Sequence, residues 1–496
     1  LLHTGAWKDH TTSYIAVLSG QETTKSSPMS VLDGIRQRNL GLSMRLSYGY
    51  KERYYIEGSF GYNGSERFAK KHRMGFFPSV GGAWVASKEP FMMGAANWLS
   101  FLKLRLSYGK VGNDGIINDP RFVHLPSISQ GKDVVSFRPG ENTIKPYVIS
   151  GYPNEDITWE IAEQVNFGLE ATFFNGLFET TVDIYQQIRH NVLDKRTVVP
   201  EAMGLGIQPL DNIGKVKSQG LDFSGKIQHA FSPDLWVILN GTLTYNKAVF
   251  EEIEEAADKP YYQWRKGHDI SQAVGYIAEG LFRDEQEIAN SPVQGGDLMP
   301  GDIRYRDVND DGVVDVEDAV HIGFPTTPRL IYGFNGFVNY KGLEFSFAFQ
   351  GSGQRGFFIN PAAMSPFANN HALLTAIYKD HWSTDNMSER PLWPRLSTKN
   401  IIEHNPQEDA SSDKETRMST YFLRECRFLR CTSLELAYNL PKQWSRKLAL
   451  KNLKVFVRAN NPFIISNFDL WDVELGNNGF NYPIQKTYSV GLNVNF

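Results

Sequence analysis

With 496 residues, 41% of them hydrophobic and 21% charged, the chain is too long for one ordinary domain, yet no linker divides it, so one large β architecture fits best. The formal net charge of -4, with both signs intermixed, leaves no basic stripe to neutralise a phosphate backbone and excludes nucleic acid as a partner. No run of about 18 apolar residues occurs, which excludes a spanning helix but not a membrane barrel, whose signal lies in alternation.

The opening "LLHTGAWKDH" lacks the basic start and apolar core of a signal peptide, so the chain is expected to be an internal fragment or a processed or truncated product. Alternating runs then predict about fourteen strands, near 11–19, 37–50, 53–63, 74–88, 100–111, 158–173, 177–192, 211–230, 234–248, 327–340, 342–351, 420–439, 450–460 and 486–496. Leu102, Leu104, Leu106 and Tyr108 fall on one face against Lys103, Arg105 and Ser107. Val165, Phe167, Leu169, Ala171 and Phe173 oppose Asn166, Gly168, Glu170 and Thr172. The same split recurs at Leu343, Phe345, Phe347 and Phe349, and in the last segment at Tyr488, Val490, Leu492, Val494 and Phe496. A soluble sandwich also alternates, so the connections decide. Every second one is short: Lys51-Glu52, Phe174 to Gly176, Phe231 to Pro233 and Lys341-Gly342. The others run from roughly ten residues to several tens. Tight turns on one rim and long loops on the other predict an all-β, antiparallel outer-membrane barrel with periplasmic turns and external loops. Tyr48, Tyr50, Tyr54, Tyr55, Tyr332 and Tyr340 stand near strand ends, where interfacial girdles or plain β-propensity would each put them.

The longest external loop, expected over 249–326, holds "DVNDDGVVDVED". Asp307, Asn309 and Asp311 occupy positions 1, 3 and 5 of a Ca²⁺ loop, Gly312 permits the sharp turn, Val313 offers its carbonyl and Asp318 closes the loop. A structural Ca²⁺ is the expectation, weakened by Asp rather than Glu at the closing position; a solvated acidic loop is the alternative. Loop aromatics Tyr261, Tyr262, Trp264, Phe357, Phe358, Trp382 and Trp393 suit stacking on sugar rings, although loop packing is the commoner use of such side chains. Cys426 and Cys431 are expected on opposite faces of one strand as packed thiols, too far apart to bridge at ~3.3 Å per residue. His190, His229 and His321 are read as surface or lumen residues. No nucleophile elbow, zinc-like spacing or phosphate-cradling loop is present, so no catalytic residue is assigned.

Several segments resemble the SusC/RagA family of TonB-linked importers. They are "RFAKKHRMGFFPSVGGAWVASKEPFM" (67–92), "LSFLKLRLSYGKVGND" (99–114), "ITWEIAEQVNFGLEATFFNGLFETTVDIYQQIRHNVL" (157–193), "NIGKVKSQGLDFS" (212–224), "LMPGDIRYRDVNDDGVVDVEDAVHIGFPTTPRLIYGF" (298–334), "FLRCTSLELAYNLP" (428–441) and "LKVFVRANNPFI" (453–464), with a terminal aromatic at Phe496. The resemblance implies the C-terminal part of a barrel of about 22 strands, without its plug and TonB box. It further implies energy-coupled import across the bacterial outer membrane, most commonly of oligosaccharides, with a SusD-like lipoprotein, TonB and outer-membrane lipid as partners. Peptides are the second substrate class. A passive porin-like pore or a non-transporting barrel fragment are the rivals, and a soluble sandwich is the structural outsider.

Overall fold

The computed structural model describes residues 2–27, 31–115, 122–131, 145–199, 201–295, 297–360, 364–367, 372–397, 418–447, 450–477 and 479–495. It divides into two compact units, 1–225 with 246–258 and 265–267, and 226–245 with 259–264 and 268–496.

The first unit is an up-and-down sheet. Its strands are β1 (Leu2–Trp7), β2 (His10–Thr23), β3 (Gln37–Tyr50), β4 (Tyr54–Ser65), β5 (Met74–Val85), β6 (Leu99–Asn113), β7 (Glu160–Phe173) and β8 (Phe178–Lys195), each beside its neighbour in sequence. Adjacent strands from β1 to β8 are antiparallel. Strand β1 was not expected, because "LHTGAW" offers no clean alternation. The Lys51-Glu52 turn has both residues at positive φ, 51° and 53°, the twist that matches a tight hairpin.

Register puts the apolar residues in rows. Leu106, Phe167 and Ile184 stand side by side, as do Leu104, Leu169 and Val182. These rows are not a packed core: Leu46 keeps 59% of its surface exposed, and Leu40, Ile56, Phe76, Leu106 and Ile184 are likewise exposed. The opposite face is polar and ion-paired, with Arg45 on Glu57 at 3.2 Å and Arg105 on Glu170 at 2.9 Å. A sheet that shows its hydrophobes and pairs its charges on the other face is inverted relative to a soluble sandwich and suits lipid. The buried cluster of this unit lies at the long-loop rim, where Phe77 meets Trp159 edge-on at 5.2 Å and Phe68, Val123, Ile157 and Leu193 close around them.

Two long strands, β9 (Leu210–Ser232) and β10 (Leu235–Glu252), contribute residues to both units. The second unit continues with β11 (Leu330–Tyr340), β12 (Leu343–Gly353), β13 (Phe428–Asn439), β14 (Asn452–Ser466) and β15 (Thr487–Asn495), again antiparallel neighbour to neighbour. Phe345, Leu436, Val457 and Val490 form one apolar row, all exposed. On the other face Glu435 takes Arg458 at 2.5 Å, and Lys454 reaches Glu344 at 2.5 Å. Two expectations are corrected here. Strand β13 begins at Phe428, because Leu423–Glu425 pairs with Gly356–Phe358 instead. Strand β14 runs on to Ser466, because Asn461 absorbs a positive φ of 52° within the strand and the ladder resumes beyond it. Cys426 therefore precedes β13 rather than sharing a strand with Cys431; both are buried free thiols. Phe496 lies outside the described residues.

Candidate functional site in the long loops

Where the wall shows its hydrophobes, the long connections of the second unit bury theirs. Short strands tie these loops together. Ala273–Tyr276 pairs antiparallel with Val320–Ile322 and parallel with Met418–Ser419, and Ala278–Leu281 pairs with Ile303–Tyr305. Around them Tyr276, Ile303, Ile377, Trp393, Phe422 and Val473 form one core, with Trp393 only 1% exposed and its ring 5.5 Å from Phe422. Ion pairs fasten its border. Buried Asp302 takes Arg395 at 2.7 Å, and buried Arg430 takes Asp472 at 2.5 Å and also Glu474. Burial pushes the Tyr421 phenol far above its ordinary range, and its hydroxyl donates to the Pro391 carbonyl at 2.7 Å. The loops are thus a packed body rather than loose crossings.

The acidic turn sits on this body. Gly312, at φ 89°, lets the chain reverse so that its N–H donates to Asp307 Oδ2 at 2.8 Å. The second oxygen of Asp307 is buried and takes no hydrogen bond. Asn309 Oδ1 accepts from Asp311 N at 3.1 Å, and Asp311 Oδ1 accepts from Val313 N at 2.8 Å. Asp318, fully buried, accepts from Val308 N at 2.6 Å and Asp315 N at 2.8 Å, while Asp315 caps the following turn on Glu317 N. The first half of the turn is held by its own side-chain-to-backbone bonds, with one carboxylate oxygen of Asp307 left over. The closing Asp318 is occupied in holding the loop's own N–H groups. Among the described residues no three His, Cys, Asp or Glu side chains are grouped as metal ligands. The carboxylates do set a local field: burial first, then Asp318, Glu317, Asp311 and Asp315, raise the Tyr262 phenol.

The aromatic candidates separate by burial. Trp393 and Phe357 belong to the core, Trp382 packs against it, and Tyr262 donates its hydroxyl to Glu317 O at 2.9 Å. Tyr261 and Trp264 stay exposed, Trp264 with its indole N–H on the Lys259 carbonyl at 3.0 Å. A pair invisible in the sequence lies beside them. The His321 ring stacks on His268 at 3.8 Å, with Nε2 2.9 Å from the Trp264 carbonyl and Nδ1 buried without a partner. Burial and the facing His268 hold His321 below the usual imidazole range. Fifty-odd residues separate the two histidines, and no periodic pattern connects them.

Wall and loops together define a class: a β-barrel of the outer membrane whose external connections form their own folded body. The chain belongs to the TonB-dependent receptor β-barrel family, since the family described as "TonB dependent receptor-like, beta-barrel" matches residues 5–388. It is 27% identical over 484 residues to TonB-dependent receptor P26 of Formosa agariphila, covering 91% of this chain and 45% of that protein. It is 26% identical over 476 residues to TonB-dependent receptor SusC of Bacteroides thetaiotaomicron, covering 91% of this chain and 43% of that one. The chain thus spans less than half the length of the curated relatives it matches. Among solved structures, the RagAB peptide transporter superposes with a TM-score of 0.74 at 20% identity, over 99% of this chain and 54% of that one, which supports the fold. The protein is located in the outer membrane, and the apolar face of its wall is the side that meets lipid. The relatives named here are receptors, not enzymes.

Proposed function

We propose that the chain forms the wall and external loops of a TonB-coupled importer, which carries oligosaccharides inward with a SusD-like lipoprotein over its external mouth. The observation that supports an importer most directly is the family match over 5–388 together with the likeness to SusC. In this reading TonB acts through a plug region, the polar face of the wall lines the passage, and the packed loops shape the mouth. The oligosaccharide reading rests on the SusC resemblance; of the loop aromatics expected to stack on sugars, Tyr261 and Trp264 are exposed. A peptide cargo is the second reading, supported by the likeness to a structure described as a peptide transporter. We assign no catalytic residue.

The test is uptake by cells carrying the intact gene, challenged with labelled oligosaccharides and labelled oligopeptides, with and without TonB. TonB-dependent accumulation of the sugars supports the reading, and accumulation of peptides alone transfers it to the second. Uptake indifferent to TonB, with an open conductance in a planar bilayer, would replace it by a passive pore.

As a structural complement we propose that the turn 307–318 takes a Ca²⁺. Asp307, Asn309, Asp311 and the Val313 carbonyl would hold it, with Asp318 turning one oxygen inward. The buried, unpartnered oxygen of Asp307 favours this, since a cation is the simplest partner for it.

A further inference from the structure

The connection from β5 to β6, residues 86–98, is unlike most of the other short-rim connections. It lies beside the Lys51-Glu52 turn, because Lys88 is bound to Glu52 and Val85 N donates to Arg53 O at 2.7 Å. Other turns on that rim carry charge at Lys8-Asp9, Lys51-Glu52, Asp234 and Lys341. From Pro90 through Leu102 this one has none, reading "PFMMGAANWLSFL". Its large side chains are not folded inward: Phe91 and Met93 are each 70% exposed and Trp98 51%.

These side chains continue the lipid face of the wall. Phe91 packs on Trp84 at 6.3 Å, and Trp84 stands in register with Leu104 in the apolar row. Trp98 stacks on Phe173 at 6.3 Å, and Phe173 stacks on Phe178 at 5.7 Å, at the end of the apolar face of β7 and β8. Phe174, also exposed, is tied to the segment by its N–H on the Trp98 carbonyl at 3.0 Å. A single buried carboxylate fastens the segment in place. Glu89 accepts from Tyr54 Oη at 2.5 Å, Trp84 Nε1 at 3.2 Å and Arg53 Nη1 at 3.4 Å, so the chain leaves Glu89 with Phe91 against Trp84. At the start of the apolar stretch the charges are paired, Lys88 with Glu52 and Arg53 with Glu89.

We propose that residues 90–98 are a lipid anchor, in which Phe91, Met93 and Trp98 enter the phospholipid leaflet at the short-turn rim and Glu89 fastens them to the wall. The occupant is lipid because the patch runs without a break into the lipid-facing rows and carries no charge from Pro90 through Leu102. This rests on the outer-membrane assignment but not on any cargo.

The test places a nitroxide at Phe91→Cys or Met93→Cys in the protein with Cys426 and Cys431 replaced by alanine. The labelled protein is reconstituted in phosphatidylethanolamine–phosphatidylglycerol liposomes, and collision with oxygen is compared with collision with a water-soluble nickel chelate. A wall position, Leu106→Cys, serves as the lipid reference. Oxygen contact exceeding chelate contact several-fold at 91 and 93, as at 106, is the expected result. Chelate contact exceeding oxygen contact overturns the proposal in favour of an aqueous rim. Protection from both overturns it in favour of a protein partner. Adding Glu89→Ala is expected to erase the oxygen preference at 91 and leave that at 106 intact; an unchanged preference at 91 removes Glu89 as the fastener.

Discussion

Arg105 reaches Asp183 two strands away, with both carboxylate oxygens at 3.1 and 3.0 Å from Nη2, by passing over Gly168 on the strand between them. A Cβ on Gly168 would stand 2.7 Å from the carboxylate and 2.8 Å from the guanidinium. The missing side chain is therefore a channel for the bridge. Gly168→Val should displace it and lower stability by about 1 kcal/mol, and Asp183→Asn should cost a similar amount, since the pair is partly exposed. The double variant should cost no more than the larger single one, because both remove the same contact. Heat-dependent mobility on gels in mild detergent reads this; strict additivity would show that Gly168→Val acts other than through the bridge.

The loop core can be tested without disturbing the wall. Trp393→Ala removes its largest fully buried side chain and should cost the loop body about 3–5 kcal/mol. Limited proteolysis should then cut within 268–326 and 372–397, while the heat-stable mobility of the wall persists. Loss of both together would show that the loops and wall do not have separable stabilities.

The His268–His321 stack gives the loops an acid limit. The groups facing His321 are His268, Lys259, Gln263 and the Trp264 carbonyl, and none supplies a negative charge. Its folded-state pKa lies below the unfolded one, so its contribution is complete above about pH 6.5 and is lost as pH falls through the folded value. Hydrogen-exchange protection at 259–264 and 320–322, taken relative to the intrinsic exchange rate at each pH, should fall on acidification through that window. His321→Gln should flatten the response, and an unaltered pH profile in that variant would exclude the stack as its source.

For the acidic turn, millimolar Ca²⁺ is expected to slow hydrogen exchange across 307–318, with little effect from the same concentration of Mg²⁺. Asp307→Asn should abolish the protection. Exchange that ignores Ca²⁺ in the unaltered protein would leave the turn as a self-capped acidic loop, held by Asp318 and Asp315.

Much of the wall was legible because a membrane strand repeats one rule at every second residue, as in β3, whose bounds Gln37 and Tyr50 coincide with the expected ones. The misreadings fall where that rule lapses. In β1, Gly5 and Ala6 blur the alternation, and in β14 the Asn-Asn-Pro sequence at 460–462 looks like a turn although the strand passes through it. The stretch before Phe428 alternates well enough to be taken as strand, yet Leu423–Glu425 finds its partner in Gly356–Phe358, at the start of the same connection. The loop core had no local signature at all. Trp393 and Phe422, or Asp302 and Arg395, meet across long separations without a period, so Trp393 and Phe357 looked as available to a sugar as Tyr261. The acidic turn was legible as spacing, while the engagement of Asp318 by backbone N–H groups was not.

The parallel pairing of Tyr276 with Ser419 also dictates an order in time. The hairpin of β11 and β12 lies between those residues in the chain, so the loop body closes only when segments on both sides of that hairpin meet. Contacts of such long span form late, after the local hairpins of the wall. The surface that greets the outside world is thus the last part of this unit to become itself, and until then its aromatic residues are bare to whatever escorts the chain across the periplasm.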